Sequence, residues 1–294
     1  MQLGLLGGLA AFSLSPISVA SAAEDTSSKT ESILISPASK KYELKAGEAH
    51  DDKLRVVNDG QLAYDFTLYS RPYSVNDESY VPDFTADAQN ADAYKWVRFQ
   101  ATSFRLEPGA FIEVPYTIRV PANATPGGHY GVIFAETQPG SDVGGQSVVR
   151  KKRVGSIIYA TVDGDVSLSG KSLGTSIPFF QTKTPLQISE RVSNSGNTDF
   201  LVKANVVVSD LFGGVKYRGV RESNVLPSTT RNIVSNWQDP SWIGFYRVTY
   251  DSEFLDTKQS SVHYVLFVPV WVYLVLVMLI VGRVGYALVR RKKK

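Results

Sequence analysis

The sequence predicts an all-β chain: two tandem immunoglobulin-like β-sandwich domains followed by a single transmembrane α-helix. Three observations predict it. Runs that alternate apolar and polar residues, the period of a strand with one face in a core, recur between residues 32 and 262. Pro, Gly and Asn turns separate those runs at spacings that suit short antiparallel strands. Near the carboxyl end, eighteen apolar residues from Val265 to Gly282 precede Arg283 and a basic end of Arg290, Arg291, Lys292, Lys293 and Lys294.

In chain order, Leu3 to Ala11 is apolar, and Ala20-Ser21-Ala22 offers the small residues that signal peptidase requires. Residues 1–23 are read as a signal peptide, although no Lys or Arg precedes the apolar stretch. Residues 24–31 are polar and serine-rich, the composition of a flexible lead-in. Domain 1 is placed at 32–164. There Leu62, Tyr64, Phe66 and Leu68 alternate, and Ile112, Val114, Tyr116, Ile118 and Val120 alternate with Glu113, Pro115, Thr117 and Arg119. Its turns fall at Lys45-Ala46-Gly47, Asn58-Asp59-Gly60, Glu107-Pro108-Gly109 and Pro126-Gly127-Gly128.

Domain 2 is placed at 165–262, with strands at Leu186 to Val192, Leu201 to Val208, Thr230 to Trp237 and Phe245 to Thr249. The two sets echo each other. Arg55-Val56-Val57-Asn58-Asp59-Gly60 corresponds to Arg191-Val192-Ser193-Asn194-Ser195-Gly196, and Gly128-His129-Tyr130-Gly131-Val132-Ile133 corresponds to Gly244-Phe245-Tyr246-Arg247-Val248-Thr249. Tyr130 and Tyr246 are candidates for the tyrosine corner of such folds. The helix is placed at 263–289. Eighteen apolar residues make roughly 27 Å of helix, close to a hydrocarbon core of about 30 Å. Because Lys and Arg are retained inside the cell, the tail 290–294 is cytoplasmic and the domains are extracellular.

The formal charge of +3 misleads, because six of the 31 basic residues lie at or beyond Arg283 while all 28 acids precede it. The external portion is slightly acidic, so no nucleic-acid partner is expected. Cysteine is absent, which removes thiol catalysis and cysteine-built zinc sites and leaves stability to core burial. His50, His129 and His263 lie far apart and in no catalytic or zinc pattern, with His129 read as a turn residue. Pro126-Gly127-Gly128 lacks the Lys and helix of a phosphate loop. No cofactor, no metal and no enzyme activity are expected, a hydrolase built from scattered carboxylates being the remaining catalytic alternative.

A minimal sandwich does not need the segment from Tyr69 to Phe99. It carries five acids and no base between Asn76 and Ala93, with Tyr73, Tyr80, Phe84, Tyr94 and Trp96 nearby. Aromatic faces beside polar groups hold sugars, because pyranose C–H faces stack on rings while hydroxyls hydrogen-bond. Arg71, Tyr73, Asp77, Tyr80, Asp83 and Trp96 are therefore the candidate glycan-binding residues. Two alternatives stand beside this: Tyr73 and Trp96 are core aromatics and the acids only solvate a loop, or the acids bind calcium without EF-hand spacing. Arg150-Lys151-Lys152-Arg153 reads as charge on an exposed edge strand or as a grip for an anionic polymer. Leu226-Pro227-Ser228-Thr229-Thr230 departs from a sortase signal in its last residue, and Asn123-Ala124-Thr125 fits a glycosylation acceptor only in a eukaryotic secretory route.

Several pieces of the first domain read together: Ile35-Ser36-Pro37, Leu44-Lys45-Ala46-Gly47, Val57-Asn58-Asp59-Gly60, Pro72-Tyr73-Ser74-Val75-Asn76-Asp77-Glu78, Pro82-Asp83-Phe84, Trp96-Val97-Arg98-Phe99, Leu106-Glu107-Pro108-Gly109 and Pro126-Gly127-Gly128-His129-Tyr130-Gly131. From about Ile33 to Thr137 they resemble the peptidoglycan-binding domain of the WxL-interacting surface proteins of bacteria. The resemblance implies a non-catalytic, single-pass cell-membrane protein whose first domain binds peptidoglycan or another cell-wall glycan. Its second domain would be a spacer or a docking module for a WxL-type surface protein. The alternative is a protein–protein adhesin or surface-assembly scaffold without glycan binding, capturing its partner through the 69–99 segment or an exposed strand edge.

Overall fold

The computed structural model describes residues 31–85, 88–138, 151–238, 240 and 243–292. The signal peptide, nearly all of the lead-in, Asp87, Arg150, Lys293 and Lys294 lie outside the described residues.

Domain 1 begins with β1 (Leu34–Ser36), β2 (Ser39–Leu44), β3 (Ala49–Val57) and β4 (Tyr64–Pro72). The short strands β5 (Ser74–Val75) and β6 (Pro82–Asp83), a 3-10 turn (Ala93–Trp96) and β7 (Val97–Phe99) follow. β8 (Ser103–Leu106), β9 (Phe111–Arg119), β10 (Gly127–Thr137) and β11 (Arg153–Val162) complete it. One sheet runs β1, β3, β9, β7, and the facing sheet runs β2, β11, β10, β4, β8. Alternation puts Leu54, Val56, Phe66, Leu68, Val114, Ile118, Ile133 and Ile158 in the core between them.

Domain 2 contains β12 (Gly170–Ser176), β13 (Phe180–Gln181), β14 (Leu186–Asn194), β15 (Phe200–Asp210), β16 (Val215–Val225), β17 (Thr230–Trp237), β18 (Gly244–Phe254) and β19 (Thr257–Phe267). Its sheets, β12, β14, β17 and β13, β19, β18, β15, β16, enclose Ile188, Val192, Val202, Val206, Ile233, Val248 and Val265. The plan is the same in both halves. In each, an early strand joins the larger sheet in parallel with the last one, β2 with β11 and β13 with β19, while the other pairings are antiparallel.

The echo between the halves extends to single bonds. Asn58 is buried at the end of β3, and its Nδ2 donates to the carbonyls of Leu62 (2.8 Å) and Leu106 (3.1 Å) while its Oδ1 accepts from Gly60 N (3.0 Å). Asn194, at the end of β14, donates to Thr198 O and Val225 O (2.8 Å each) and accepts from Gly196 N (2.8 Å). An Asn in this place ties the turn after one strand to the end of a distant strand, with the bonds to Leu106 O, Thr198 O, Val225 O and Gly196 N fully buried.

The last element, α1 (Val270–Lys292), holds a 19-residue apolar stretch, Val270 to Leu288, none of which is buried within the fold. It starts later than the apolar run suggests. Val265 and Phe267 end β19 with their side chains in the domain 2 core, and Pro269, which cannot donate to a ladder, separates strand from helix. An uninterrupted apolar run reads the same for a buried strand and a helix, so the boundary at 262/263 moves to the Phe267/Val270 junction.

Candidate functional site

The 69–99 segment does not project as a loop. It folds back over the outer face of β10, where Tyr130 N donates to Asn90 O (2.7 Å). The backbone at Ala93 and Tyr94 lies so close to Gly131 that a Cβ there would stand 2.6 Å from Tyr94 N. β10 is consequently buried on both faces over nearly its whole length. His129, buried in β10, fastens the crossing: Nδ1 meets Asp92 Oδ1 at 2.6 Å and Nε2 meets Thr125 O at 2.8 Å, with the Trp96 ring 4.7 Å away. Burial lowers the imidazole's affinity for a proton, but the Asp92 carboxylate and Thr125 carbonyl outweigh it and the pKa is raised. Both ring nitrogens face acceptors, so neither offers a free lone pair for general-base chemistry. The turn-residue reading of His129 is replaced by a structural clasp.

The same segment forms the contact between the domains. Tyr73, Tyr80, Tyr130, Tyr159 and Leu226 make a third apolar cluster, separate from the two sandwich cores. Tyr80 has φ +61 and Ser228, in domain 2, has φ +58, both in the left-handed region that costs a non-Gly residue about 1–2 kcal/mol. Hydrogen bonds hold Tyr80 there, because its hydroxyl pairs with Thr229 Oγ1 and accepts from Leu226 N at 2.8 Å. Arg231 lies 4.3 Å over its ring. Glu78 pairs bidentately with Arg191, which holds the Glu78 carboxyl below its ordinary value, and Glu78 O accepts from Asn232 N at 2.8 Å.

A second strip of the seam runs through Pro126-Gly127-Gly128. Gly128 N donates to Asn197 O at 2.8 Å, and Gly127, at φ +116, comes too close to that carbonyl for a Cβ. The Tyr130 hydroxyl donates to Asp199 Oδ1 (3.2 Å), and Lys41 Nζ pairs with Asp199 Oδ2 (2.7 Å). Burial and the Asp199 charge push the Tyr130 phenol above its usual range. Tyr130 is thus an interdomain strut rather than a tyrosine corner, and Tyr246 packs edge-on against Trp237 at 4.9 Å. Beside the strut, a cleft of 640 Å³ opens between the domains, lined by Lys41, Lys45, Glu48, Asp163, Leu168 and Asp199.

These placements correct the glycan-binding expectation. Tyr73, Tyr80 and Trp96 are 6%, 8% and 3% exposed, so their faces are spent on protein packing and cannot stack on a sugar. Asp77 accepts from Ser79 N (2.9 Å) and Asp83 from Thr85 N (2.8 Å), capping local turns. Arg71 is exposed in β4 with its guanidinium 5.5 Å from the Tyr69 ring. No group of three metal-binding side chains occurs among the described residues. Peptidoglycan binding by this face, and peptidoglycan as the partner, are therefore withdrawn. In the basic run, Arg153 begins β11 with its guanidinium 4.5 Å from the Phe134 ring, and Lys151 Nζ lies 3.6 Å from Glu136 Oε1.

What composition did not reveal is an edge. β16 is an outermost strand of eleven residues that pairs, among the described residues, only with β15. Its open side carries unpaired backbone groups of the kind that accept another strand. Lys216, Arg218, Val220 and Glu222 alternate on its outward face, and Val220 is 65% exposed. Lys216 and Glu222 are paired within the sheet, to Asp210 (3.0 Å) and Lys203 (3.3 Å), whereas Arg218 and Arg221 make no ion pair among the described residues.

No family model matches the chain, and no curated protein matches it. Solved structures with a similar fold include the class 5 fimbriae chaperone CfaA, 14% identical over 80% of this chain and 99% of that one (TM-score 0.40). The CupB2 chaperone of Pseudomonas aeruginosa is 12% identical over 80% and 100% (TM-score 0.40). A chain of the Salmonella enterica complex of SafA pilin with SafB chaperone is 13% identical over 82% and 97% (TM-score 0.41). At this identity the likeness is one of fold, an immunoglobulin-like sandwich.

Proposed function

We propose that this chain is a non-catalytic adhesin or surface-assembly scaffold that captures a protein partner by strand addition along β16. The observation that carries the reading is the outermost strand β16, which among the described residues pairs in its sheet only with β15 and has exposed Val220 at its centre. Main-chain bonds to an added strand supply affinity, and alternate side chains supply selectivity. Arg218 and Arg221 favour a partner segment bearing carboxylates and, like other edge charges, discourage indiscriminate pairing. The seam fixes the two domains as a rigid pair behind that edge.

In this reading α1 crosses the membrane once, both sandwiches stand outside, and the basic end lies in the cytoplasm. About 28 Å of helix from 19 residues suits a hydrocarbon core of about 30 Å. The kinship of residues 33–137 with the WxL-interacting proteins belongs to the same proposal, with its glycan-binding part removed.

The test is capture of envelope protein by the full chain in nanodiscs, before and after muramidase digestion of the envelope. Protein capture that survives digestion and falls in Val220→Asp supports the reading. Retention that disappears with the glycan, unchanged in Val220→Asp, contradicts it.

A further inference from the structure

One end of domain 2 carries large apolar side chains that neither the cores nor the β16 edge use. The β15–β16 turn, Leu211-Phe212-Gly213-Gly214, presents Phe212 at 98% exposure beside exposed Leu211. Asp210 makes this tip rigid, since its Oδ1 accepts from Phe212 N (2.9 Å) and Gly214 N (2.8 Å) and its Oδ2 meets Lys216 Nζ at 3.0 Å. Phe179, Phe180 and Ile243 are exposed as well. Solvent-facing clusters of this kind mark contact surfaces.

Register shows which way they face. Asp210 pairs with Tyr246, Gly244 pairs with Phe267, and α1 starts at Val270. The turn, the chain around Ile243 and the exit of β19 therefore share the end of the sheet from which the helix leaves. Phe180 pairs with Leu266 at that same end. A 470 Å³ hollow there is lined by Thr182, Lys183, Pro240, Phe267, Pro269 and Trp271. Val268 and Pro269 alone separate β19 from α1, a reach of at most about 10 Å, so this rim cannot stand away from the surface the helix enters. Trp271 and Tyr273, in the first turn of α1, are the residue types that sit at headgroup depth.

We infer that Leu211 and Phe212, with Phe179 and Ile243, seat domain 2 in the outer leaflet of the lipid bilayer beside α1. The inference rests on the reading of α1 as a membrane span. A rigid turn with two apolar side chains at its tip buries them at the headgroup–acyl boundary as interfacial segments do. Seating holds domain 2 in one orientation, with the β18–β19 turn at Leu255–Asp256 directed away from the bilayer.

The chain has no cysteine, so a single introduced thiol takes a label uniquely. The full chain would be placed in phosphatidylcholine/phosphatidylglycerol vesicles containing acyl-chain nitroxide lipid, with a bimane label at Phe212→Cys, Leu274→Cys or Asp256→Cys. Strong quenching at 212 and 274, with little at 256, is the expected result. Quenching at 274 while 212 stays at the level of 256 overturns the seating and leaves the span intact. A shielded, blue-shifted label at 212 without lipid quenching also overturns it, in favour of a protein contact. Quenching at none of the three sinks the span reading and the seating together.

Discussion

Asn58 and Asn194 show how one residue type solves the same problem twice. Each is buried and satisfies two carbonyls and one amide, so truncation removes the bonds and strands their partners. Asn58→Ala and Asn194→Ala are each expected to lower stability by about 2–4 kcal/mol, from an orphaned-group cost of about 1–3 kcal/mol per partner. Urea denaturation measures it, and a change below about 0.5 kcal/mol, the scale of an ordinary surface substitution, would contradict the assignment. His129 adds a pH dependence. Its pKa is raised above the ordinary 6.5, so its contribution is complete below that value and is lost as pH rises through the folded-state pKa. The melting-temperature margin of wild type over His129→Gln should therefore be widest in mild acid and narrow toward alkaline pH; a margin that does not vary with pH refutes the clasp.

At the scale of elements, β10 decides what the 69–99 segment is. The crossing depends on Gly131, because a Cβ would meet backbone at Tyr94, which has no side-chain freedom to yield. Gly131→Ala is expected to cost about 1–3 kcal/mol, as overpacking does, and to speed amide exchange through 88–99. Unchanged exchange would show that the crossing is not tight. The alternating strands β4 and β9 were legible in the sequence because each has one wet face, and Tyr64, Phe66, Val114 and Ile118 are buried as their period demands, whereas Leu62, at the head of the first run, lies before β4 and is exposed. The aromatics of the segment misled, since their composition suits a sugar site as well as a core. The missed signal lay elsewhere, in Tyr130-Gly131-Val132-Ile133-Phe134-Ala135, a run apolar in both phases that needs a cover on its second face.

For the whole molecule, the seam joins residues more than a hundred positions apart, such as Glu78 with Arg191 and Tyr80 with Thr229, and no periodicity in the sequence pairs them. Tyr80→Phe keeps the ring and removes the hydroxyl that accepts from Leu226 N, so a loss of about 1–2 kcal/mol of interdomain coupling is expected. Separate melting of the two domains in that variant, against one transition in wild type, would report it; identical melting curves would show that the hydroxyl carries no coupling. With the domains fixed, β16 remains a long sheet edge that pairs, among the described residues, only with β15. The most direct measurement is photo-crosslinking from Val220→p-benzoylphenylalanine in cells, compared with the same substitution at exposed Phe111 in domain 1. A protein adduct at 220 that persists after muramidase treatment and is absent at 111 is the predicted result. No adduct at 220, or one equally strong at 111, would contradict capture along β16.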